Sequence, residues 1–164
     1  MPLERFSAAW REHYVAGTST PSEGCVFCDL AAQEVSEDSG VLYRSSHAYV
    51  ALNAFPYGSG HVLILPYAHV AALEDLDEEA YADLFVTLRR VVVALGAAYG
   101  ADGLNVGMNL GQAGGAGIPQ HLHAHALPRW LGDTNFMTTI GETRVLPESL
   151  ASTWRKVHAA LTAP

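Results

Sequence analysis

Between residues 121 and 127 the chain reads His121-Leu122-His123-Ala124-His125-Ala126-Leu127, with histidine and apolar residues alternating at period two. On a β-strand this spacing puts three imidazoles on one face, about 6.6 Å apart, and Leu122, Ala124 and Ala126 on the other. A core cannot hide three such groups without partners, so the face must border a polar cavity, a metal or a ligand. Three readings fit the segment taken alone. It is a chance run on a solvated strand, a catalytic zinc or iron site completed by a third residue, or a nucleophilic histidine with its helpers.

The preceding residues favour the third reading. Gly107-Met108-Asn109-Leu110-Gly111-Gln112-Ala113-Gly114-Gly115-Ala116-Gly117 holds five glycines in eleven residues. Such a loop presents backbone N–H groups that suit a phosphate. The chain carries a net charge of −8, with one lysine, Lys156, among its nine basic residues. An anionic ligand must therefore be held mainly by amides, histidines and at most one arginine. The same charge argues against broad nucleic-acid binding, which needs a basic footprint.

With 164 residues, 49% of them hydrophobic, the chain fits one globular domain with a real core. No apolar run approaches the roughly 18 residues of a membrane span. Met1 to Tyr14 is charged and lacks the apolar stretch of a signal peptide. The expected location is cytoplasmic, and no membrane partner is expected.

Periodicity supplies the elements. Leu3, Phe6, Trp10 and Tyr14 predict an amphipathic helix over 3–15, followed by a loop from Gly17 to Gly24. Strands are predicted at Gly40–Arg44, His47–Asn53, His61–Leu65, Leu104–Asn109 and residues 121–127. Asp77 caps the clearest helix, and Gly100 ends it. Tyr81, Leu84, Phe85, Leu88, Val91, Val92, Leu95 and Tyr99 form its predicted buried stripe. A last helix is predicted over Pro147–Leu161. The class is α+β, an antiparallel sheet of about five strands with helices packed on one side.

The pattern His-x-His-x-His followed by two apolar residues resembles the histidine triad (HIT) superfamily of nucleotide hydrolases and transferases. Asn53, eight residues ahead of His61 in Gly60-His61-Val62-Leu63-Ile64-Leu65-Pro66, resembles the ribose-binding half of that fold. Trp10-Arg11-x-x-Tyr14-Val15, Cys25-x-Phe27-Cys28, Pro128-Arg129-Trp130-x-Gly132-Asp133-Thr134-Asn135-Phe136-Met137 and Thr143-Arg144-Val145-Leu146-Pro147-Glu148 narrow the likeness. They resemble the bacterial branch that includes diadenosine tetraphosphate (Ap4A) phosphorylases. The implied domain covers 1–164, with an N-terminal extension over 1–24, a HIT core over 25–146 and a C-terminal helix over 147–164.

The resemblance implies roles. His123 is the nucleophile that takes up a nucleotidyl group, and His125 donates to a non-bridging phosphate oxygen. His61 stands beside the triad as a fourth histidine supporting proton transfer, and His121 completes the row. Asn109 and the amides near Gly117 bond the α-phosphate, and Asn53 takes the ribose hydroxyls. Val26, Phe27, Leu30 and Leu52 line the nucleobase pocket. Trp130 shapes the leaving-group side, and Arg129 is a candidate counter-ion for the distal phosphates. Many members carry a Gln-Ser or Gln-Thr pair just ahead of the triad, whereas this chain has Gly117-Ile118. The missing hydroxyl argues against a phosphoramidase and suits a good leaving group such as ATP. The implied reaction is phosphorolysis of Ap4A to ADP and ATP, with hydrolysis to AMP and ATP as the alternative.

Cys25 and Cys28 are the only cysteines. In a reducing compartment such a pair suggests a metal half-site or a redox pair rather than a structural disulfide. Some bacterial HIT proteins bind zinc through such a pair, a histidine in a Pro-x-x-His turn and the first triad histidine. Here these are Cys25, Cys28, His69 and His121, a closed Cys2His2 set that implies a structural zinc. Similar proteins form homodimers or larger homo-oligomers.

Overall fold

The computed structural model describes residues 24–133 and 148–163. The predicted helix over 3–15 and the motif segments within 134–147 lie outside them. Five strands form one antiparallel sheet: β1 (Val41–Arg44), β2 (Ala48–Leu52), β3 (Val62–Pro66), β4 (Gly103–Met108) and β5 (Ala124–Arg129). Their order is β1-β2-β3-β5-β4, so the last strand in sequence is inserted between β3 and β4. Among the described residues three α-helices accompany it: α1 (Val26–Ala31), α2 (Glu78–Tyr99) and α3 (Leu150–Thr162). Among the described residues no helix is long and apolar enough to cross a membrane.

The two faces of the sheet have different covers. Leu42, Val50, Leu52, Val62, Ile64, Ala124 and Ala126 pack with Leu84, Val91 and Leu95 of α2 and Val157 and Leu161 of α3. On the other face, Val41, Tyr49, Ala51, Leu63 and Leu65 pack with Phe27 of α1. Period-two alternation along β2 and β3 sorts these two sets. The first face is the main core; the second carries the site.

The Asp77 side chain caps α2 by accepting from the Ala80 amide, a bond that typically contributes about 1 kcal/mol. Gly100 ends the helix in the left-handed conformation at φ 54°. The predicted stripe needs correction. Leu84, Val91 and Leu95 are buried, but so are Ala80, Thr87 and Ala94, while Tyr81 and Phe85 are 45% and 37% exposed. The two aromatic rings pack on each other, 4.7 Å apart, on the outer side. Apolar residues extend more than halfway round this helix, so periodicity alone does not choose which part of the arc meets the sheet.

At the β1 edge, α3 bonds directly to the strand. Trp154 Nε1 donates to the Val41 carbonyl at 2.9 Å, and His158 Nδ1 lies 2.8 Å from the Leu42 carbonyl. These side chains cover an edge that would otherwise present unpaired backbone.

Candidate active site

The histidine row lies on the second face, but only its last member belongs to a strand. β5 begins at Ala124 and runs on through Pro128 to Arg129. Residues 121–123 are held differently: the Leu122 amide donates to the Val70 carbonyl at 2.7 Å, outside the ladder. Pro128 lies beyond the pairing with β3, which ends at Ala126, and opposite Leu104 of β4. The alternation still holds. Leu122 joins Ala124 and Ala126 in the main core, while Phe27 touches the rings of His121 and His123 on the opposite face, centroids 5.6 and 5.0 Å away.

Each imidazole has partners that fix its tautomer. His123 Nδ1 lies 2.8 Å from the His121 carbonyl. A carbonyl only accepts, so Nδ1 carries the proton and Nε2 keeps its lone pair. The Tyr57 amide donates to His61 Nδ1 at 3.0 Å, which places the His61 proton on Nε2. That N–H points at His125 Nδ1, also 3.0 Å away. His125 must then carry its own proton on Nε2, a buried atom with no hydrogen-bond partner among the described residues. Two neighbouring histidines, whose ring centroids are 5.0 Å apart, therefore present a lone pair and a donor.

Burial keeps these groups neutral. His61 is pushed down to about 3, first by desolvation, then by the charges of His125 and His123. His125 is pushed down to about 4 by desolvation and then by His123. His123 is also lowered by burial, against the opposing pull of its bond to the His121 carbonyl. An imidazole attacks only when unprotonated, so this environment suits a nucleophile.

At the other end of the row, Cys25, Cys28, His69 and His121 bring four ligand atoms within 4.8 Å of one another. His121 Nδ1 lies 3.4 Å from Cys25 Sγ and 3.6 Å from Cys28 Sγ, and His69 Nδ1 lies 3.3 Å from Cys28 Sγ. In a tetrahedral site with Zn–S near ~2.3 Å and Zn–N near ~2.1 Å, sulfur and nitrogen stand ~3.6 Å apart. A simple S–H to nitrogen bond would join one pair, whereas here one nitrogen meets two sulfurs and all four donors converge. His121 Nε2 lies 3.0 Å from the Pro66 carbonyl, which turns the Nδ1 lone pair toward the thiols, as a metal ligand requires. The donor set and its spacing fit a closed, four-coordinate metal.

The remaining sequence candidates divide. Phe27 and the half-buried Leu30 belong to the second cluster, and Val26 beside them is half exposed. Asn53 is buried, its amide nitrogen 3.3 Å from His61 Nδ1 and its Oδ1 accepting from the Phe55 amide. Asn109 and His123 stand one residue beyond the Met108–Ala124 pair that ends the β4–β5 register. In the loop before Gly117, the amides of Gly114, Gly115 and Ala116 turn back onto Gly111 and Gln112. A Cβ at Gly114 would meet the Leu110 carbonyl oxygen at 2.4 Å, so only glycine fits that turn.

Three candidates from the sequence have other partners. Leu52 lies in the main core against α2, because its place in β2 points it away from Phe27 and the histidines. Trp130 packs edge-on against Tyr99 at the end of α2, with centroids 6.0 Å apart. The Arg129 guanidinium is engaged by both carboxylate oxygens of Asp133 and by Asn105 Oδ1 at 2.6 Å. An arginine already paired with a carboxylate is a poor counter-ion for phosphate. Conversely, Tyr57 escaped the sequence reading, and Ile118 entered it only as the residue that replaces a hydroxyl. Tyr57 packs on His61 and His125, and Ile118 packs against the second cluster.

The HIT domain family matches residues 34–130. An AP-4-A phosphorylase of Mycobacterium tuberculosis is 34% identical over 161 residues, spanning 93% of this chain and 82% of that protein. The asymmetrical bis(5'-nucleosyl)-tetraphosphatase of Schizosaccharomyces pombe is 34% identical over 95 residues, 58% of this chain and 52% of that one. Among solved structures, a zinc-bound histidine triad protein from Mycobacterium smegmatis superposes with a TM-score of 0.68 at 28% identity, covering 84% of this chain and 93% of that one. With the fold, the histidine row and these relatives in agreement, the chain belongs to the histidine triad family.

Proposed function

We propose that this protein cleaves diadenosine polyphosphates through a nucleotidyl-histidine intermediate on His123, and that orthophosphate is the acceptor. The observation that carries the reading is the pair of opposite tautomers, a lone pair on His123 Nε2 beside an unpartnered proton on His125 Nε2. The His123 lone pair attacks the α-phosphorus, an N–P bond forms, and the bond to the departing ATP oxygen breaks. His125 Nε2–H donates to a non-bridging oxygen as negative charge gathers there. Orthophosphate then attacks the same phosphorus, the N–P bond breaks, and ADP leaves while His123 recovers its lone pair.

Other groups take supporting roles in this proposal. Asn109 and the amides around Gly117 hold the α-phosphate, and Asn53 holds the ribose once its contact with His61 gives way. Phe27, Leu30 and Val26 form one wall for the base. Ile118, apolar where phosphoramidase-like members carry a hydroxyl, leaves the departing group without a local proton donor, which suits ATP. The Mycobacterium tuberculosis relative supports phosphate as acceptor; the Schizosaccharomyces pombe relative supports water instead.

Cys25, Cys28, His69 and His121 would hold a zinc ion that ties the start of α1 to the sheet and takes no part in the chemistry. The outer strand β4 exposes Val106, and the outer side of α2 exposes Tyr81, Phe85 and Val93. These surfaces support pairing with a second copy.

A product assay with Ap4A, with and without orthophosphate, tests the proposal. ADP and ATP appearing only with phosphate is the expected result. AMP in both reactions transfers the reading to hydrolysis, and no cleavage in either removes this substrate class.

A further inference from the structure

Tyr57 lies in the turn between β2 and β3, outside any motif, and it meets both of the paired histidines. Its ring centroid is 4.5 Å from that of His61 and 5.8 Å from that of His125, the latter nearly parallel at 22°. Its amide supplies the bond that sets the His61 tautomer. The turn is closed on its far side by the His61 amide donating to the Gly58 carbonyl. Gly58 has little room for a side chain, since a Cβ there would stand 3.3 Å from Leu127. The ring is thus carried by a short, packed segment and not by a free loop.

We propose that Tyr57 is a positioning residue, whose ring stacks on His125, leans at an angle on His61 and holds the His125 Nε2–H in line for the phosphate oxygen. This rests on the functional reading above for its consequence in catalysis, and on geometry alone for its effect on the histidines. An imidazole bonded through one nitrogen can still swing about that bond. A stacked ring removes the swing and shields the 3.0 Å contact from water. The groups facing the His125 ring are His61 ahead of β3, His123 on its own segment, and Tyr57.

The experiment uses zinc-loaded protein with 15N-labelled histidine rings and compares Tyr57→Leu and Tyr57→Ala with Tyr57→Phe. Both ring-less variants should lower kcat for Ap4A about tenfold with little change in KM. The His125 titration midpoint should rise from about 4 toward the ordinary 6.5 as water reaches the pair. Tyr57→Phe, which keeps the stacked ring, should recover most of the rate and the low midpoint. Zinc content and melting temperature confirm that each variant is folded, and either ring-less variant suffices if the other fails to fold.

Wild-type kcat and midpoint in a folded ring-less variant overturn the proposal. A Tyr57→Phe protein as impaired as Tyr57→Leu also overturns it, because the hydroxyl would then be responsible. If the wild type cleaves no dinucleotide, the functional reading falls, and the titration alone decides the role of Tyr57.

Discussion

His121 and His125 stand two residues either side of His123, point to the same face of the sheet, and are both lowered by burial. Their surroundings differ in kind. His121 is almost fully buried, its Nε2 bonded to the Pro66 carbonyl and its Nδ1 turned to two sulfurs. His125 is half-buried, its Nδ1 bonded to His61 and its Nε2 a buried atom with no hydrogen-bond partner among the described residues. In the proposed function, identical side chains in one short repeat are divided into a metal anchor and a phosphate donor. The second atom on each ring makes the division: a carbonyl partner leaves a lone pair for a metal, and an imidazole partner leaves a proton for an anion.

The comparison breaks first at the anchor. Replacing Cys25 and Cys28 with serine should abolish zinc binding and cost about 3–4 kcal/mol of stability, a drop of roughly ten degrees in melting temperature. Elemental analysis and calorimetry read both effects. Protein purified without chelator that holds less than about a tenth of an equivalent of zinc would remove the anchor role from His121.

The donor end should respond in a different quantity. His125→Gln should lower the rate of Ap4A cleavage by about a hundredfold, or nearly 3 kcal/mol of transition-state stabilisation. Its zinc content and melting temperature should stay close to wild type. A variant that loses zinc instead would mean the two ends are one cooperative unit.

A smaller effect separates the ends by pH. His61 is neutral in the folded chain down to about pH 3 but titrates at its ordinary 6.5 when unfolded. The unfolded state therefore binds more protons below pH 6.5, and stability falls as the pH drops. Between pH 7 and pH 5 the loss from His61 alone is about 2 kcal/mol. Urea unfolding of the cysteine-less protein at the two pH values, free of any metal contribution, reads this loss together with a similar one from His125, which is pushed down to about 4. His61→Asn should reduce the measured difference by about 2 kcal/mol and leave the share of His125 in place.

The repeat itself was legible because period-two alternation sends Leu122, Ala124 and Ala126 to the core and the histidines outward. The strand start was not. Leu122 bonds to Val70, a partner 52 positions away in sequence, and no local pattern reports such a contact. Leu52 looked like a pocket residue by its position near Asn53, yet strand parity places it under α2. On α2 an apolar arc too broad for its task hid the true buried side, and Tyr81 and Phe85 were misplaced by it. The four candidate metal donors are legible only through the resemblance, since Cys25 and His121 lie 96 positions apart. Tyr57 left no signal at all, because a tyrosine in a Pro-Gly turn reads as surface.

The central claim is that His123 Nε2 is the nucleophile, and it can be observed directly. Wild-type protein mixed with Ap4A in the absence of orthophosphate, quenched early at neutral to alkaline pH and digested, should yield a peptide spanning His123 that carries one adenylyl group. The same peptide should be unmodified in His123→Asn protein and should lose the group, releasing ADP, when orthophosphate is added before quenching. An adenylyl group on any other residue, or full turnover by His123→Asn protein, would contradict the account.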